Sequence, residues 1–255
     1  LPLTARNHHD LTPAAPLLRD AGLREKARAA LADVRTEKAL DVLCGALTGA
    51  DAAFRVDLLR AIFLFPGTMD KSPVMPLLRD PSPAIRAAAM RAVANTGDAA
   101  LLPDGRRICA AADHDTAFEA WDGLLMLTDA LAARGGHWET AMAAYRDILD
   151  AAPYTVIQGG AMVGMGRFGD ETVVPVIMRA LARECGESLE PAALEAFRRL
   201  FGKNALLALR DAFDEASPTM GVGLLAFYGD TGDPIFLEIL QTQAASDDPV
   251  LRRAA

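Results

Sequence analysis

Apolar residues recur along this chain at the three- and four-residue spacing of amphipathic helices, and short polar breaks separate the helical stretches. The stretches alternate in a way that predicts helix pairs joined by short turns. The predicted first helices of the pairs cover residues 23–34, 51–65, 82–95, 115–134, 153–168, 187–201 and 217–228. The predicted second helices cover residues 36–48, 71–79, 98–112, 136–151, 170–184, 203–215 and 232–245. Residues 12–20 resemble a further second helix, and an eighth pair begins at Asp248.

Near-copies of short segments give this pattern a period. The segments TPAAPLLRD at 12–20 and SPVMPLLRD at 72–80 are identical at six of nine positions, and Asp248–Ala255 aligns with Ser82–Ala89 without a gap. A Gly-Asp dipeptide followed by an apolar helix occurs at 97–98, 169–170 and 232–233. The spacing of 60 residues between the first two segments and the spacings of 72 and 63 residues between the Gly-Asp dipeptides are close to twice a unit of about 30–36 residues. They indicate a repeat architecture.

We therefore predict an all-α fold. In this α-solenoid, antiparallel helix pairs stack into a right-handed superhelix of about seven repeats with a partial repeat at each end. One domain is expected over residues 1–255, as a piece of a longer chain, because the final VLRRAA reads as the middle of a helix. The predicted units cover residues 23–49, 51–80, 81–113, 114–152, 153–186, 187–216 and 217–246.

The residues at the predicted turns agree with this division into repeats. Six prolines directly follow a residue that commonly caps helices, which marks helix starts because proline at the first position gives up an amide that has no partner. These dipeptides are Thr12-Pro13, Ser72-Pro73, Ser82-Pro83, Ser217-Pro218, Asp233-Pro234 and Asp248-Pro249. In each Gly-Asp dipeptide, we expect the glycine to end one helix with a positive φ and the aspartate to cap the next.

Composition narrows the classes of function. The net charge of −8 disfavours nucleic acid as a partner, because affinity for phosphate depends on basic side chains. Three distant cysteines, Cys44, Cys109 and Cys185, are predicted to be small core residues and not a disulfide framework. Without an apolar run of about 18 residues, the chain is expected to be soluble. The cytoplasm is the favoured compartment, and the alternative is a chain from which a targeting segment has been removed.

The segment from Asp80 to Pro103 resembles the short HEAT-like repeat associated with phycobilin lyases. The matching features are Pro83, Ile85-Arg86, Ala88-Ala89, Gly97-Asp98 and Pro103. Gly169-Asp170 with Pro175 repeats the last part of this motif, and Asp248–Ala255 repeats the first. The resemblance covers nearly the whole chain, although the stretches 115–152 and 187–215 match by period alone. It implies the solenoid fold and leaves the function open, because such arrays serve many roles.

Two motifs suggest chemistry that the repeat phase argues against. Gly164, Gly166 and Gly169 form a literal GxGxxG, but a dinucleotide site needs a strand before the first glycine, and the phase places a helix there. The clusters His8-His9-Asp10 and Asp113-His114-Asp115 lack the i, i+4 spacing of a helical metal site. We expect close helix packing at the glycines, surface positions for both clusters, and neither a metal nor a cofactor.

The strongest departure from the repeat is an aromatic group, Phe118, Trp121, Trp138, Tyr145 and Tyr154. Trp138, Met142 and Tyr145 share one helical face, so the group is interpreted as a bulky core, with a partner-binding site as the alternative. Arg146, Arg179 and Arg183 fall on successive second helices among Glu139, Asp147 and Glu184, which predicts a mixed charged surface. The candidate partner-binding residues are Trp138, Tyr145, Arg146, Tyr154, Arg179 and Arg183.

Three functional hypotheses remain from the sequence. The leading one is a non-catalytic scaffold that binds a protein or peptide on its concave face, which the resemblance assigns to the second helices. A bilin lyase-like or lyase-accessory role is implied by the family resemblance alone. A nucleic-acid-processing role like that of the HEAT-fold alkylpurine DNA glycosylases would require a continuous basic groove, which the acidic charge disfavours.

Overall fold

A computed structural model describes residues 11, 13–182, 189–200 and 202–255 of the chain. Helix is the only regular secondary structure in these ranges, which confirms the all-α prediction. The chain divides into two compact units, Leu1–His137 and Trp138–Ala255. The boundary falls within the predicted repeat 114–152.

The first unit contains helices α1 to α7, and the second contains α8 to α15. In the first unit these are α1 (Ala14–Leu17), α2 (Arg24–Val34), α3 (Glu37–Ala46), α4 (Ala52–Phe63), α5 (Pro83–Ala94), α6 (Leu102–Ala110) and α7 (Ala117–Arg134). In the second unit they are α8 (Trp138–Ala151), α9 (Thr155–Phe168), α10 (Val174–Ala182), α11 (Glu190–Arg199), α12 (Lys203–Asp211), α13 (Pro218–Thr231), α14 (Leu237–Ala244) and α15 (Pro249–Ala254). Short 3-10 helices cover Leu47–Gly49, Ser72–Arg79, Ala99–Leu101, Glu171–Val173, Ala212–Glu215 and Pro234–Phe236.

Within the first unit, the helices predicted as first members of their pairs form a row in which α2 contacts α4, α4 contacts α5, and α5 contacts α7. Each second helix packs against the first helix of the following pair. Thus α3 contacts α4, the 3-10 helix Ser72–Arg79 contacts α5, and α6 contacts α7. The alternation of apolar stretches in the sequence therefore corresponds, in this unit, to a row of first helices with second helices packed against it.

The second unit also contains a row of first helices. Its first helices form the row α9, α11, α13 and α15, in which each contacts the next. Among the second helices, α8 contacts α10 and α10 contacts α12. Helices α4 and α5 of the first unit and helices α11 and α13 of the second therefore have a neighbour on each side within their rows.

The predicted helix caps form at several of the cap-proline dipeptides. The side chains of Ser217, Asp233 and Asp248 accept hydrogen bonds from the amides of Met220, Ile235 and Val250, respectively. Ser82 occupies the cap position of α5 without forming a side-chain cap bond. Thr12 lies outside the described residues.

The cap predicted at Ser72 is wrong. Lys71 occupies the cap position, and Ser72 is the first residue of a 3-10 helix that contains Pro76. A proline inside a helix lacks an amide hydrogen and its ring collides with the carbonyl four residues earlier, so this segment cannot continue as an α-helix.

The Gly-Asp turns fulfil most of their predicted roles. Gly97 and Gly232 have φ values of 58° and 63°, in the left-handed region, and Asp98, Asp170 and Asp233 cap the following 3-10 helices. The positive φ predicted for Gly169 is wrong, because its φ is −94°. Glycine is required there by crowding instead, since a Cβ at this residue would lie 2.6 Å from the Met165 carbonyl oxygen.

Close backbone contact holds the first helices together. Seven residues of α5, Ala87–Met90 and Ala92–Ala94, have no exposed surface. On α7, a Cβ at Gly123 would lie 3.1 Å from the backbone nitrogen of Arg91. On α9, a Cβ at Gly166 would lie only 2.1 Å from the carbonyl oxygen of Ala196 on α11. At Gly166 the two helices leave no space for any side chain, so interior packing at this density requires glycine.

We predict that Gly166→Ala lowers the free energy of unfolding by about 2 kcal/mol, because overpacking against backbone outweighs the roughly 1 kcal/mol that alanine contributes to helix propensity. Gly229→Ala is the matched control, since Gly229 lies inside α13 with nothing within 4 Å of its Cβ position. The control should be stabilised by about 0.5–1 kcal/mol. Equilibrium unfolding in urea measures both, and a Gly166→Ala protein as stable as the parent would contradict the contact.

Candidate interaction surfaces

The predicted partner-binding residues that the structure describes include three exposed side chains on neighbouring helices. Trp138 begins α8 and is 47% exposed, and Arg146 lies two turns later on the same helix. Arg179 is exposed on α10, which contacts α8. We call Trp138, Arg146 and Arg179 the second-helix surface. Arg183 and Glu184 lie outside the described residues.

Tyr145 occupies a different environment from these three residues. Its side chain is fully buried, and a Cβ at Gly164 on α9 would lie 2.5 Å from the Cε1 atom of the tyrosine ring. Met142 is also buried, so the core interpretation describes Met142 and Tyr145 correctly. The Tyr145 side chain therefore packs between α8 and α9. Tyr154 is half-buried at the cap position of α9.

Arg146 lies close enough to Asp170 to affect its ionisation. Asp170 caps the 3-10 helix Glu171–Val173, and its Oδ1 accepts hydrogen bonds from the Thr172 hydroxyl at 2.6 Å and the Thr172 amide at 3.0 Å. The hydroxyl bond is the largest cause that lowers the pKa of Asp170, and the charge of Arg146 lowers it further. The exposed Glu139 and Asp147 also belong to α8, so this surface is mixed in charge, as the sequence predicts.

The predicted aromatic group is divided between the two units. Phe118 and Trp121 lie on α7 of the first unit, where Phe118 is 47% exposed and Trp121 is half-buried. Trp138, Tyr145 and Tyr154 belong to the second unit. The five aromatic residues therefore belong to two sets, one on α7 and the other on α8 and at the start of α9.

An aromatic cluster that sequence reasoning missed forms part of the core of the second unit. The rings of Tyr228 and Phe236 stack with centroids 4.1 Å apart, and Phe227 meets both rings edge-on. The Tyr228 hydroxyl donates a hydrogen bond of 2.6 Å to the Leu209 carbonyl, and burial raises the pKa of Tyr228. The available signal was the Phe-Tyr dipeptide at the end of one predicted helix, followed by a phenylalanine just beyond the Gly232 turn.

The GxGxxG motif is a helix-packing motif in this fold. Gly164 and Gly166 are buried within α9, and Gly169 follows the last residue of that helix. A dinucleotide site needs the first glycine at the end of a strand and the helix after it, whereas here the helix comes first. The packing interpretation of these glycines is confirmed.

A network of ion pairs links three helices of the first unit, and sequence reasoning did not predict it. Arg60 on α4 donates through Nε and Nη2 to the two carboxylate oxygens of Glu119 on α7, at 3.0 and 2.9 Å. The Nε atom of Arg91 on α5 lies 3.3 Å from Asp122 Oδ2, and its guanidinium lies 5.3 Å from the centroid of the Phe63 ring. Burial raises the pKa of Asp122, while Arg91 acts to lower it. Because Arg60 and Glu119 are 59 residues apart, only the folded helices bring them together.

A buried lysine also lies in the first unit. Lys71 is 2% exposed, and its Nζ atom donates to the carbonyl oxygens of Phe65 and Ala92 at 3.1 and 2.8 Å and to Asn95 Oδ1 at 2.6 Å. Burial lowers the pKa of Lys71 to about 8. The sequence offered no signal for this site beyond an apolar neighbourhood.

The remaining candidate residues have structural positions. Oδ1 of Asp113 accepts hydrogen bonds from the amide and hydroxyl of Thr116 at the start of α7, while His8-His9-Asp10 lies outside the described residues. Within the described ranges, no group of three or more His, Cys, Asp or Glu side chains is placed to hold a metal ion. Cys44 and Cys109 are buried, and burial raises their pKa values to about 11 and about 12, while Cys185 is not described.

No protein-family model and no curated protein matches this chain. None of the described helices combines the length and the apolar character that crossing a lipid bilayer requires.

We predict that the Arg60–Glu119 pair couples α4 to α7 by about 1 kcal/mol in a double-mutant cycle with alanine, at the upper end for surface pairs because it is bidentate and belongs to a network. The pair Arg210–Asp211 is the control, because its 2.6 Å contact joins adjacent residues and tethers no other helix. Its coupling should be close to zero. Urea unfolding of the variants in both cycles measures the two coupling free energies. Equal coupling in both cycles would contradict a structural role for the Arg60 network.

Proposed function

We propose that the protein is a non-catalytic HEAT-like α-solenoid scaffold that binds a protein or peptide partner through the second-helix surface. The observation that supports this most strongly is Trp138, a large aromatic side chain left 47% exposed at the start of α8. The exposed Arg146 and Arg179 accompany it on α8 and α10. Tryptophan and arginine are the residue types most enriched at the energetic centres of protein interfaces.

The repeat character of the scaffold draws support from the contacts within each unit. First helices contact first helices in sequence, and each second helix of the first unit packs on the pair that follows. Such stacking buries a continuous core and leaves the outer sides of the helices free for a partner. The turns at Gly97-Asp98 and Gly232-Asp233 adopt the conformation that the HEAT-like motif implies.

The mixed charge of the second-helix surface favours a protein over a nucleic acid as partner. Glu139 and Asp147 accompany Arg146 on α8, and the whole chain carries a net charge of −8. A nucleic-acid surface would need cations in excess of anions along its length. Mixed charges around an aromatic anchor suit a partner with both basic and acidic side chains.

The test is quantitative affinity capture from a lysate of the organism of origin, with the parent protein and single variants as bait. Trp138→Ala should reduce capture of the specific partner about 30-fold, which corresponds to about 2 kcal/mol, and Arg146→Ala should reduce it by a smaller factor. The control is Val156→Ala, since Val156 is 67% exposed in the same unit but lies on α9.

Thermal unfolding of each variant should be measured beside the capture experiment, because a lost fold would mimic a lost partner. Trp138→Ala is expected to keep the fold, since about half of the side chain is already in solvent. An identical set of captured proteins for all four baits would refute the proposed surface.

A further inference from the structure

The connection between α4 and the 3-10 helix Ser72–Arg79 folds back onto the end of α5. The Nδ2 atom of Asn95 donates hydrogen bonds to the carbonyl oxygens of Phe63 at 3.0 Å and Phe65 at 2.7 Å. A Cβ at Gly67 would lie 1.8 Å from the Asn95 carbonyl oxygen, so the backbone at residue 67 touches the backbone at the end of α5. Residues 64–71 thus form a strap, which we define by this range, across the ends of two helices.

The buried side chain of Lys71 connects the end of this strap to α5. Its Nζ atom has three acceptors, the carbonyl oxygens of Phe65 and Ala92 and the Oδ1 atom of Asn95, at 3.1, 2.8 and 2.6 Å. An ammonium group has three donors, and each has a partner here, whereas a neutral amine has only two donors. The carbonyl oxygens near the ends of α4 and α5 also carry the partial negative charge of helix C-termini, which favours a cation. All three acceptors are nevertheless uncharged.

The ionisable groups that face Lys71 are few. From α3, Cys44 lies close by, and burial together with Asp41 and Asp70 raises its pKa to about 11, so the thiol stays neutral near pH 8. Asp70 precedes Lys71 in the strap, is exposed, and accepts a hydrogen bond from the Ser72 amide at 2.8 Å. From α5 the facing side chain is Asn95, and from the α4 side it is a backbone carbonyl, so no other charge on these two elements shares the hydrogen bonds of Lys71.

We propose that Lys71 is a proton-coupled latch that holds the strap against the ends of α4 and α5, and that in mildly alkaline solution the latch opens by taking up a proton. The open strap exposes the amine to water, where the charged form is favoured. In the closed strap the amine is buried. The free-energy cost of burying its charge there exceeds the gain from the third hydrogen bond. This device belongs to the fold of the first unit and does not rest on the proposed partner surface.

The direction of the pH effect follows from the two ionisation constants. In the closed state the pKa of Lys71 is about 8, and in the open state it takes the ordinary value of 10.5. Below about pH 8 both states are charged, and above 10.5 both are neutral, so neither range shows an effect. Between these limits the closed latch gains about tenfold in its ratio to the open one for each pH unit. The latch is therefore weaker at neutral pH than at pH 10.

The first test is a titration of the lysine side chains by NMR. The chain has four lysines, and Lys26, Lys38 and Lys203 are all exposed, so Lys71 is readily assigned as the resonance that is lost in Lys71→Met. We expect the Lys71 resonance to titrate with a midpoint near pH 8. A Lys71 midpoint near 10.5 would overturn the latch.

The second test is amide hydrogen exchange in the strap, corrected for the intrinsic rate at each pH. The amides of Phe65 and Met69 are hydrogen-bonded to the carbonyl oxygens of Ile62 and Pro66, so their exchange reports opening. Their protection should rise about tenfold per pH unit between pH 8 and 10 in the parent protein and in Lys38→Met, and stay level in Lys71→Met. Level protection in the parent, or an equal rise in Lys71→Met, would overturn the proposal even if the NMR midpoint lies near 8.

Discussion

Contact between the backbones of successive first helices is the constraint on which this structure depends. At Gly166 the α9 backbone lies so close to Ala196 of α11 that a Cβ has no room, and at Gly123 the α7 backbone approaches Arg91 of α5 almost as closely. Helices that approach at this distance must carry glycine or alanine at the contact, and α5 accordingly consists largely of alanine.

The polar groups of the first unit follow from this close stacking. Arg60 of α4 pairs with Glu119 of α7, and α5 contacts both of these helices. At the carboxyl-terminal ends of α4 and α5, the carbonyl oxygens of Phe63 and Ala92 accept hydrogen bonds from Asn95 and Lys71, respectively. Both features are consequences of placing three helices side by side, and both connect residues that are distant in sequence.

The sequence predicted the helices because their periodicity and turn chemistry are local properties. The turn at Gly97-Asp98 is an example, as positive φ and side-chain capping depend on a few adjacent residues. The failures have local causes as well. At Ser72 a second proline, Pro76, overrode the expected cap, and at Gly169 crowding by Met165 and Val173 replaced the expected backbone conformation.

The candidate surfaces were harder to predict, because exposure depends on which neighbours cover a helix. Trp138 and Tyr145 lie on one predicted face, yet Tyr145 is buried against Gly164 while Trp138 extends beyond the packed part of α8. The buried cation at Lys71 and the Arg60 network depend on tertiary contacts that periodicity does not encode. A function based on partner binding has the same dependence, since the partner contacts whatever the stacking leaves exposed.

If close stacking of neighbours supplies the stability, helices with neighbours on both sides must be the last to open, and those with few buried contacts the first. The most direct measurement is residue-resolved hydrogen exchange of the native protein over the whole chain. We predict the slowest exchange of the first unit in α5, where seven residues have no exposed surface, and fast exchange in α14, which buries no residue. Protection in α14 equal to that in α5 would contradict it.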